Sequence, residues 1–197
     1  MSRYIAFFDF DGTITSKDTL VELIRFQKGD LSFLVGCLLN APWLIGYRLG
    51  IISNHAAKQK LLRFFFRKMA VDLFQQKCDE FALKILPQLV RPKAMKEIRK
   101  LREIGAAIVI VSASANNWIQ AWSQAIGADL IATVLETKNG RMTGNIQGRN
   151  CHGKEKVKRI NMAYDLTMYE ERYVYADTTG DRPMMALGTH AFYKPFR

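Results

Sequence analysis

The sequence has few cysteines and none of the spacings that bind zinc or build a disulfide framework. Its three cysteines, Cys37, Cys78 and Cys151, lie far apart in the chain. No zinc site or disulfide scaffold is indicated, and a reducing compartment is the expectation. The first residues also lack the layout of a secretory signal peptide, because their apolar run is short and ends in acidic residues. These features predict a cytoplasmic protein.

Acidic residues are scarce relative to basic ones. The 197 residues include 29 lysines and arginines but only 18 aspartates and glutamates, which gives a formal net charge of +11. Such a surplus favours anionic partners, among them phosphorylated metabolites, nucleic acid and anionic lipid. Hydrophobic residues make up 49% and charged residues 24% of the chain. These proportions are typical of a globular protein and exclude disordered, collagen-like and coiled-coil chains.

The chain has no uninterrupted apolar run long enough for an ordinary membrane-spanning helix, which needs about 20 residues. The stretch from Leu31 to Tyr47 contains no charged residue, but Asn40 and Pro42 interrupt it. We expect two buried helices there, bent at Pro42. The stretch from Lys58 to Lys68 has five basic residues and no acid. It predicts an amphipathic helix with a solvated basic face, and a surface that touches an anionic membrane or a phosphate-rich ligand is the alternative.

Three short apolar runs end abruptly in polar residues. Residues 3–8 are followed by Asp9, residues 106–111 by Ser112, and residues 173–176 by Asp177. Continuous apolar runs of this length are typical of strands buried on both faces of a parallel sheet. Because ligands bind beyond the carboxyl ends of such strands, the three polar ends predict one shared site in an α/β fold.

The remaining pattern predicts helices between these strands and a helical insertion after the first strand. Apolar spacing and turn residues predict helices over 92–103, 116–125 and 154–164, a strand over 129–136, a hairpin turn at Asn139-Gly140 and an edge strand over 191–193. The segment from 16 to 87 has helical spacing and few strand signals. We therefore divide the chain into a core of residues 1–15 and 88–197 and a helical subdomain of residues 16–87.

Asp9 and Asp11 stand two positions apart at a strand end, a spacing that points both carboxylates to the same side of an extended chain. Paired carboxylates suit a hard cation such as Mg²⁺. A calcium loop of the EF-hand type is excluded, because Lys17 and Leu20 stand where its further ligands belong. A plain structural turn remains an alternative for this motif alone.

The full string DFDGTIT, from Asp9 to Thr15, resembles the first signature of the haloacid dehalogenase superfamily of phosphotransferases. The strings VIVSAS, CHGKEKV and YADTTGDRPMM resemble its other three signatures, in the family's order. They supply Ser112, Lys154, and the acid pair Asp177 and Asp181. The resemblance implies a Rossmann-like, doubly wound parallel sheet with an inserted helical cap of the C1 type.

The resemblance also implies a role for each matching residue. Asp9 would be the nucleophile that forms an aspartyl-phosphate, and Asp11 the general acid and base. Mg²⁺ would be held by Asp9, Asp11 through its backbone carbonyl, and Asp177, with Asp181 nearby. Ser112 would donate to the phosphoryl group and Lys154 would balance its charge. The remaining phosphate contacts would come from the backbone around Phe10, Gly12 and Ala113.

The substrate is less constrained than the chemistry. The cap and the third signature resemble subfamily IB, which includes phosphoserine phosphatase, and Asp18 matches the position that would grip a substrate amino group. Other strings resemble phosphatidylglycerophosphate phosphatase of the C type, whose cap carries an apolar stretch followed by basic residues. Two substrates stay open: a small soluble phosphomonoester, and a lipid phosphate presented at a membrane surface. We expect Asp18, Glu22 and the basic residues of 58–68 to set specificity.

A third reading, a basic nucleic-acid-binding module, is disfavoured. The basic residues are spread along the chain, no nucleic-acid motif occurs, and the strand-end acids would repel a phosphodiester backbone. We expect a phosphate-ester substrate and no nucleic acid partner. Peripheral contact with an anionic membrane remains open, as does the oligomeric state.

Overall fold

The computed structural model describes residues 3–197. Its main feature is a five-stranded parallel sheet with the strand order β3-β2-β1-β6-β7, and a separate antiparallel pair, β4 and β5, lies beside it. The strands are β1 Tyr4–Phe8, β2 Ala107–Ala115, β3 Asp129–Thr133, β4 Leu135–Lys138, β5 Arg141–Ile146, β6 Glu171–Ala176 and β7 His190–Tyr193. The three strands predicted to be adjacent and parallel are β2, β1 and β6, and this prediction is confirmed.

Helices precede, separate and cover the strands. They are α1 Thr19–Lys28, α2 Asp30–Leu39, α3 Ala41–Arg48, α4 Asn54–Phe66, α5 Val71–Lys84, α6 Leu86–Leu89, α7 Pro92–Glu103, α8 Gln120–Ala125, α9 Lys154–Ala163 and α10 Arg182–Met185. The helix predicted over 116–125 begins as a short 3₁₀ turn before α8. The strand predicted over 129–136 is split between β3 and β4, because the chain leaves the large sheet at Val134.

Side chains from the two faces of the sheet build two separate apolar layers. Alternation along β1 sends Ala6 and Phe8 to the face covered by α7 and α8, where they meet Ile98 and Trp122. Ile5 and Phe7 point to the other face, which is covered by α9 and α10. Helices on both faces of a parallel sheet make the core a Rossmann-like, doubly wound α/β fold, as predicted.

The helical segment joins the sheet through two adjacent connections. Ser16 N–H donates to the carbonyl of Leu89 at 2.8 Å, and Arg91 N–H donates to the carbonyl of Ile14 at 2.8 Å. The chain therefore leaves the core and returns to it through paired extended segments. The proposed domain boundaries, after residues 15 and 87, lie close to this pair and stay a prediction.

The β4–β5 hairpin packs against the helical segment. Asn139 and Gly140 form its turn, both with positive φ (50° and 69°), as the turn signal predicted. At Gly144 a Cβ atom would lie 2.4 Å from Cα of Arg63 on α4, so only glycine fits this close approach. The hairpin thus holds α4 through contacts separate from the paired connections.

Helices α2 and α3 depart from the expectation of buried helices. Their only buried residues are Gly36, Asn40 at the bend and Gly46; Leu44 is half-buried, while the leucines of α2, Trp43 and Ile45 lie on the surface. The helices are bent by 71° relative to each other. In the described part of the chain no single helix is long and apolar enough to cross a membrane, although this bent pair meets the length and composition criteria when its two helices are taken together.

Candidate active site

A cavity of about 540 Å³ opens at the carboxyl ends of β1, β2 and β6, between the sheet and the helical segment. The core contributes Asp9, Asp11, Ser114, Lys156 and Asp181 to its wall. The helical segment contributes residues from α1, α3 and α4: Leu20, Leu44, Tyr47, Asn54, Ala57, Lys58 and Leu61. The polar strand ends therefore meet at one site, as the sequence predicted.

The centre of this site is an ion-paired triad. The Lys156 ammonium donates to Asp9 Oδ1 at 2.5 Å and to Asp181 Oδ1 at 2.7 Å, and Asp181 also accepts from Thr178 Oγ1. All three triad residues are at least nine-tenths buried. Burial raises the pKa of Asp9 to about 7, and the neighbouring Lys156 opposes this rise. Burial lowers the pKa of Lys156, but Asp9 and Asp181 outweigh it and hold that pKa above its usual value.

The sequence analysis assigned the charge-balancing role to Lys154, and the structure corrects this assignment. Lys156 contacts Asp9, whereas Lys154 lines a second cavity of about 790 Å³ beside His55 and Lys158. The two lysines are N1 and N3 of α9, so the helix turns them to different sides. Ile160 is buried four residues after Lys156 and on the same face, a periodicity that points to Lys156 from sequence.

Three carboxylates form a compact group of oxygen ligands. Oxygens of Asp9, Asp177 and Asp181 all lie within 4.8 Å of one another, and all three residues are buried. Thr13, which the sequence analysis did not single out, donates to both Asp9 Oδ2 (3.2 Å) and Asp177 Oδ1 (3.3 Å). Clustered hard oxygen donors suit Mg²⁺, so the residues present fit this ion. Arg197 pairs with Asp177 at the edge of the group.

Gly12 permits this arrangement. Its φ is +83°, and a Cβ atom there would lie 2.5 Å from Asp177 Oδ2. The backbone between Asp9 and Thr13 therefore turns tightly under the carboxylate group. Phe10, by contrast, is fully buried and packs its ring against Trp122, so it reaches the site only through its backbone.

Asp11 is held by a different set of partners from Asp9, although both line the same cavity. Its Oδ1 accepts from the backbone N–H and the hydroxyl of Thr19, both at 2.7 Å, and its Oδ2 accepts from Ser114 Oγ at 2.5 Å. Burial raises the pKa of Asp11, and the charge of Asp18 adds to the rise, while the hydrogen bonds from Ser114 and Thr19 oppose it. A carboxyl group whose pKa is raised keeps its proton to higher pH, which suits a general acid.

The residues of the second predicted motif differ in whether they reach the cavity. Ser112 is fully buried, and its Oγ accepts from the backbone N–H of Ser114 at 2.9 Å. Ala113 and Ser114 line the cavity, because the pairing of β2 with β3 shifts after Ser112. The sequence analysis did not identify Ser114. Its only signal was a second serine immediately beyond the strand end.

The helical segment delivers a cation to the cavity. Lys58 Nζ donates to the carbonyl of Ala113 at 2.6 Å. Burial lowers the pKa of Lys58, and the charges of Asp11 and Asp18 oppose this shift. Among the predicted specificity residues, Asp18 caps α1 and lines the cavity, whereas Glu22 lies outside it in ion pairs with Lys17 and Arg25.

Comparison with known proteins identifies the family. The haloacid dehalogenase-like hydrolase profile matches residues 6–186. Protein CicA of Caulobacter vibrioides is 34% identical over 196 residues, which cover 96% of this chain and 85% of that protein. A protein of unknown function from Bordetella pertussis Tohama I has a similar structure, with a TM-score of 0.81, 24% identity and coverage of 96% and 88%. A phospho-aspartyl intermediate analogue of phosphoserine phosphatase is similar in fold, with a TM-score of 0.68, 16% identity and coverage of 95% and 84%. The chain thus belongs to the haloacid dehalogenase-like hydrolase family.

Proposed function

We propose that this protein hydrolyses phosphate monoesters through a phosphorylated Asp9. One observation carries the proposal: Asp9 and Asp11 follow the same strand, yet one is paired with a buried lysine and the other is held by hydroxyl and amide donors. Two carboxyl groups in such different surroundings are suited to different tasks. Asp9 is suited to nucleophilic attack and Asp11 to proton transfer.

The reaction would proceed in two steps. A carboxylate oxygen of Asp9 forms a bond to phosphorus as the bond to the ester oxygen breaks, and Asp11 gives its proton to that oxygen. Asp11 then takes a proton from water, whose oxygen attacks phosphorus and releases inorganic phosphate from Asp9. Lys156 holds Asp9 in position and balances its charge, while Asp181 orients Lys156.

Mg²⁺ is the proposed cofactor, held by Asp9, Asp177 and the backbone of Asp11, with Asp181 beside them. When bound, this ion neutralises the negative charge of the phosphoryl group and the carboxylates. Ser114 and the N–H groups near Gly12 would complete the phosphate contacts, and the buried Ser112 would hold the backbone N–H of Ser114. The support for this assignment is the group of three buried carboxylates.

Two substrate classes fit the wall of the cavity that faces the phosphate site. Asp18 and Lys58 offer one negative and one positive group, which match the ammonium and carboxylate of a phosphoserine-like metabolite. Leu44, Tyr47 and Leu61 form an apolar wall, which favours the second candidate, a lipid phosphate. A basic nucleic-acid module has no comparable support.

A screen of phosphate esters with and without Mg²⁺ tests this function. It includes an aryl phosphate, phosphoserine, sugar phosphates, nucleotides and phosphatidylglycerophosphate in detergent. Asp9→Asn should abolish turnover and prevent capture of a radiolabelled phosphoryl group in acid-quenched protein. Wild-type turnover by this variant would exclude covalent catalysis at Asp9.

A further inference from the structure

Helices α2 and α3 present their apolar side chains to solvent. Four of these and two residues that follow α3, all between 57% and 77% exposed, define what we call the α2–α3 face: Leu31, Leu38, Leu39, Ile45, Leu49 and Ile51. A monomeric soluble protein rarely exposes so many large apolar residues in one place, and such patches mark sites of interaction.

A helix packed on a core normally turns its large apolar side chains inward, whereas α2 and α3 turn a glycine inward. Each contacts the rest of the molecule through a buried glycine. A Cβ atom at Gly36 would lie 2.1 Å from the ring of Phe65, and one at Gly46 would lie 2.7 Å from Ile52. Close approach on the glycine side leaves the leucines on the outer side. The six residues of the α2–α3 face therefore bury little of their apolar surface within the fold, which leaves that surface available to a partner.

The lengths of α2 and α3 suit a pair of helices that lies on a membrane surface better than one that crosses the bilayer. Helices of 10 and 8 residues are about 15 Å and 12 Å long, well short of the roughly 30 Å hydrocarbon core of a bilayer. The bend of 71° at Asn40 also prevents the two helices from forming one straight span. Short helices of this kind bury an apolar side in the interfacial layer of a membrane.

The charge of the surrounding sequence indicates that the membrane surface is anionic. No aspartate or glutamate occurs between Leu31 and Val71, a stretch that contains six lysines and arginines. Arg48 is exposed at the end of α3, and Lys60 of α4 lies 5.2 Å from the ring of Trp43. Asp30, at the start of α2, pairs with Arg25. Each basic residue near an anionic bilayer strengthens binding. Two copies of the chain meeting through this face would instead bring like charges together.

From these observations we propose that the α2–α3 face docks on an anionic lipid bilayer. The leucines and isoleucines enter the interfacial layer, and Arg48 and Lys60 contact lipid headgroups. Leu44 and Tyr47 of α3 also line the cavity that contains Asp9, so docking places the mouth of this cavity at the membrane. The proposal concerns attachment and holds whether or not Asp9 is a nucleophile.

Co-sedimentation of the full chain with vesicles tests attachment. Wild-type protein should bind vesicles of phosphatidylcholine mixed with phosphatidylglycerol, should bind pure phosphatidylcholine weakly, and should be partly released by salt. The double variant Leu38→Asp/Leu39→Asp should bind about tenfold more weakly or worse, because the membrane loses contact with two leucine side chains. Met162→Asp is the matched control, since Met162 is 77% exposed on α9, and it should bind like wild type.

Tryptophan fluorescence locates the contact. Trp43 is 42% exposed, whereas Trp118 and Trp122 are buried. Lipids brominated near the headgroup end of their acyl chains should quench wild-type fluorescence, and Trp43→Phe should remove this quenching. Circular dichroism and thermal unfolding of each variant confirm that it is folded.

Three results would overturn the proposal. One is the absence of wild-type binding to anionic vesicles at low salt. Another is binding that the double variant retains or that leaves Trp43 unquenched, which would assign attachment to another basic surface. The third is a dimer, detected by light scattering, that the double variant abolishes while vesicles are not bound, which would make the occupant a second copy of the chain.

Discussion

The ammonium of Lys156 lies 2.5 Å from Oδ1 of Asp9, and both groups are shielded from water. A buried ion pair of this kind has a cost of desolvation that only good geometry offsets. Here one lysine serves two carboxylates, so its removal leaves Asp9 and Asp181 facing each other without a counterion.

Replacement of this lysine should therefore affect both stability and turnover. Lys156→Ala should lower activity by about 10²–10³-fold, as for loss of one charge-stabilising donor, and should destabilise the fold by about 3–5 kcal/mol. Lys154→Ala is the matched control and should behave like wild type. Steady-state kinetics and denaturant unfolding measure the two effects. Equal losses in the two variants would contradict the assignment of Lys156.

The pH dependence should respond in opposite directions to two charges near Asp11. Asp18 raises the pKa of Asp11 and Lys58 lowers it. As a general acid, Asp11 must be protonated, so turnover declines as pH rises through its pKa. Asp18→Asn should move this decline to lower pH, and Lys58→Gln should move it to higher pH. The measurement is kcat/KM against pH for an alkyl phosphate, whose leaving group needs a proton.

An aryl phosphate provides the control for this experiment, because its better leaving group depends less on the proton from Asp11. Its pH profile should shift less in both variants. Shifts in the same direction for Asp18→Asn and Lys58→Gln would show that another group determines the profile.

Alanine substitutions at Gly12 and Gly29 distinguish the effect of a steric clash from the effect of backbone strain. Both have positive φ, +83° and +82°, but only at Gly12 would a Cβ atom meet a neighbour, Asp177. Gly12→Ala should displace the carboxylate group and lower kcat about a hundredfold. Gly29→Ala should cost about 1–2 kcal/mol of stability and leave kcat unchanged. A similar kcat for the two variants would contradict a role for the tight turn in catalysis.

Metal binding should be visible without any substrate. Mg²⁺ should raise the thermal unfolding temperature, because a hundredfold excess over Kd stabilises the folded state by about 2.7 kcal/mol. Asp177→Asn should remove this effect, and Asp165→Asn, at an exposed carboxylate, should keep it. Scanning fluorimetry with and without a chelator makes the measurement. An unchanged response of Asp177→Asn would place the cation elsewhere.

The sequence predicts a part of the fold well where its residue pattern can be packed in only one way. Residues 5–8 are apolar at every position, so both faces of β1 must be covered, and the polar residues that follow must lie at the sheet edge. Lys154 and Lys156 were harder to distinguish, because two lysines in the first turn of a helix have similar local patterns. The rotation of α9, set by Ile160 packing on the sheet, decides between them.

The prediction that the helices of 31–47 are buried was wrong for a different reason. Leucines at helical spacing define one apolar side, but the sequence does not say whether the core lies on that side. Gly36 packs against Phe65 of α4, and Gly46 packs against Ile52 in the loop after α3. These contacts place the glycine side of each helix inward and the leucines of α2 outward. Thr13 was missed because one of its two hydrogen bonds reaches Asp177, which lies 164 positions further along the chain.

The paired connections and the hairpin together restrict how the helical segment moves. It is attached at one end by the ribbon of residues 14–16 and 89–91, and at another by Arg63 and Gln59, which bond Asn145 and Ile146. The same segment also accepts from Trp118 Nε1 at Thr19 Oγ1 (3.0 Å), and its Gln75 accepts from the side-chain amide of Asn117 at 2.8 Å. Because these attachments are distributed over α1, α4 and α5, loss of one of them leaves the others in place, and the cavity keeps its wall of Leu44 and Tyr47.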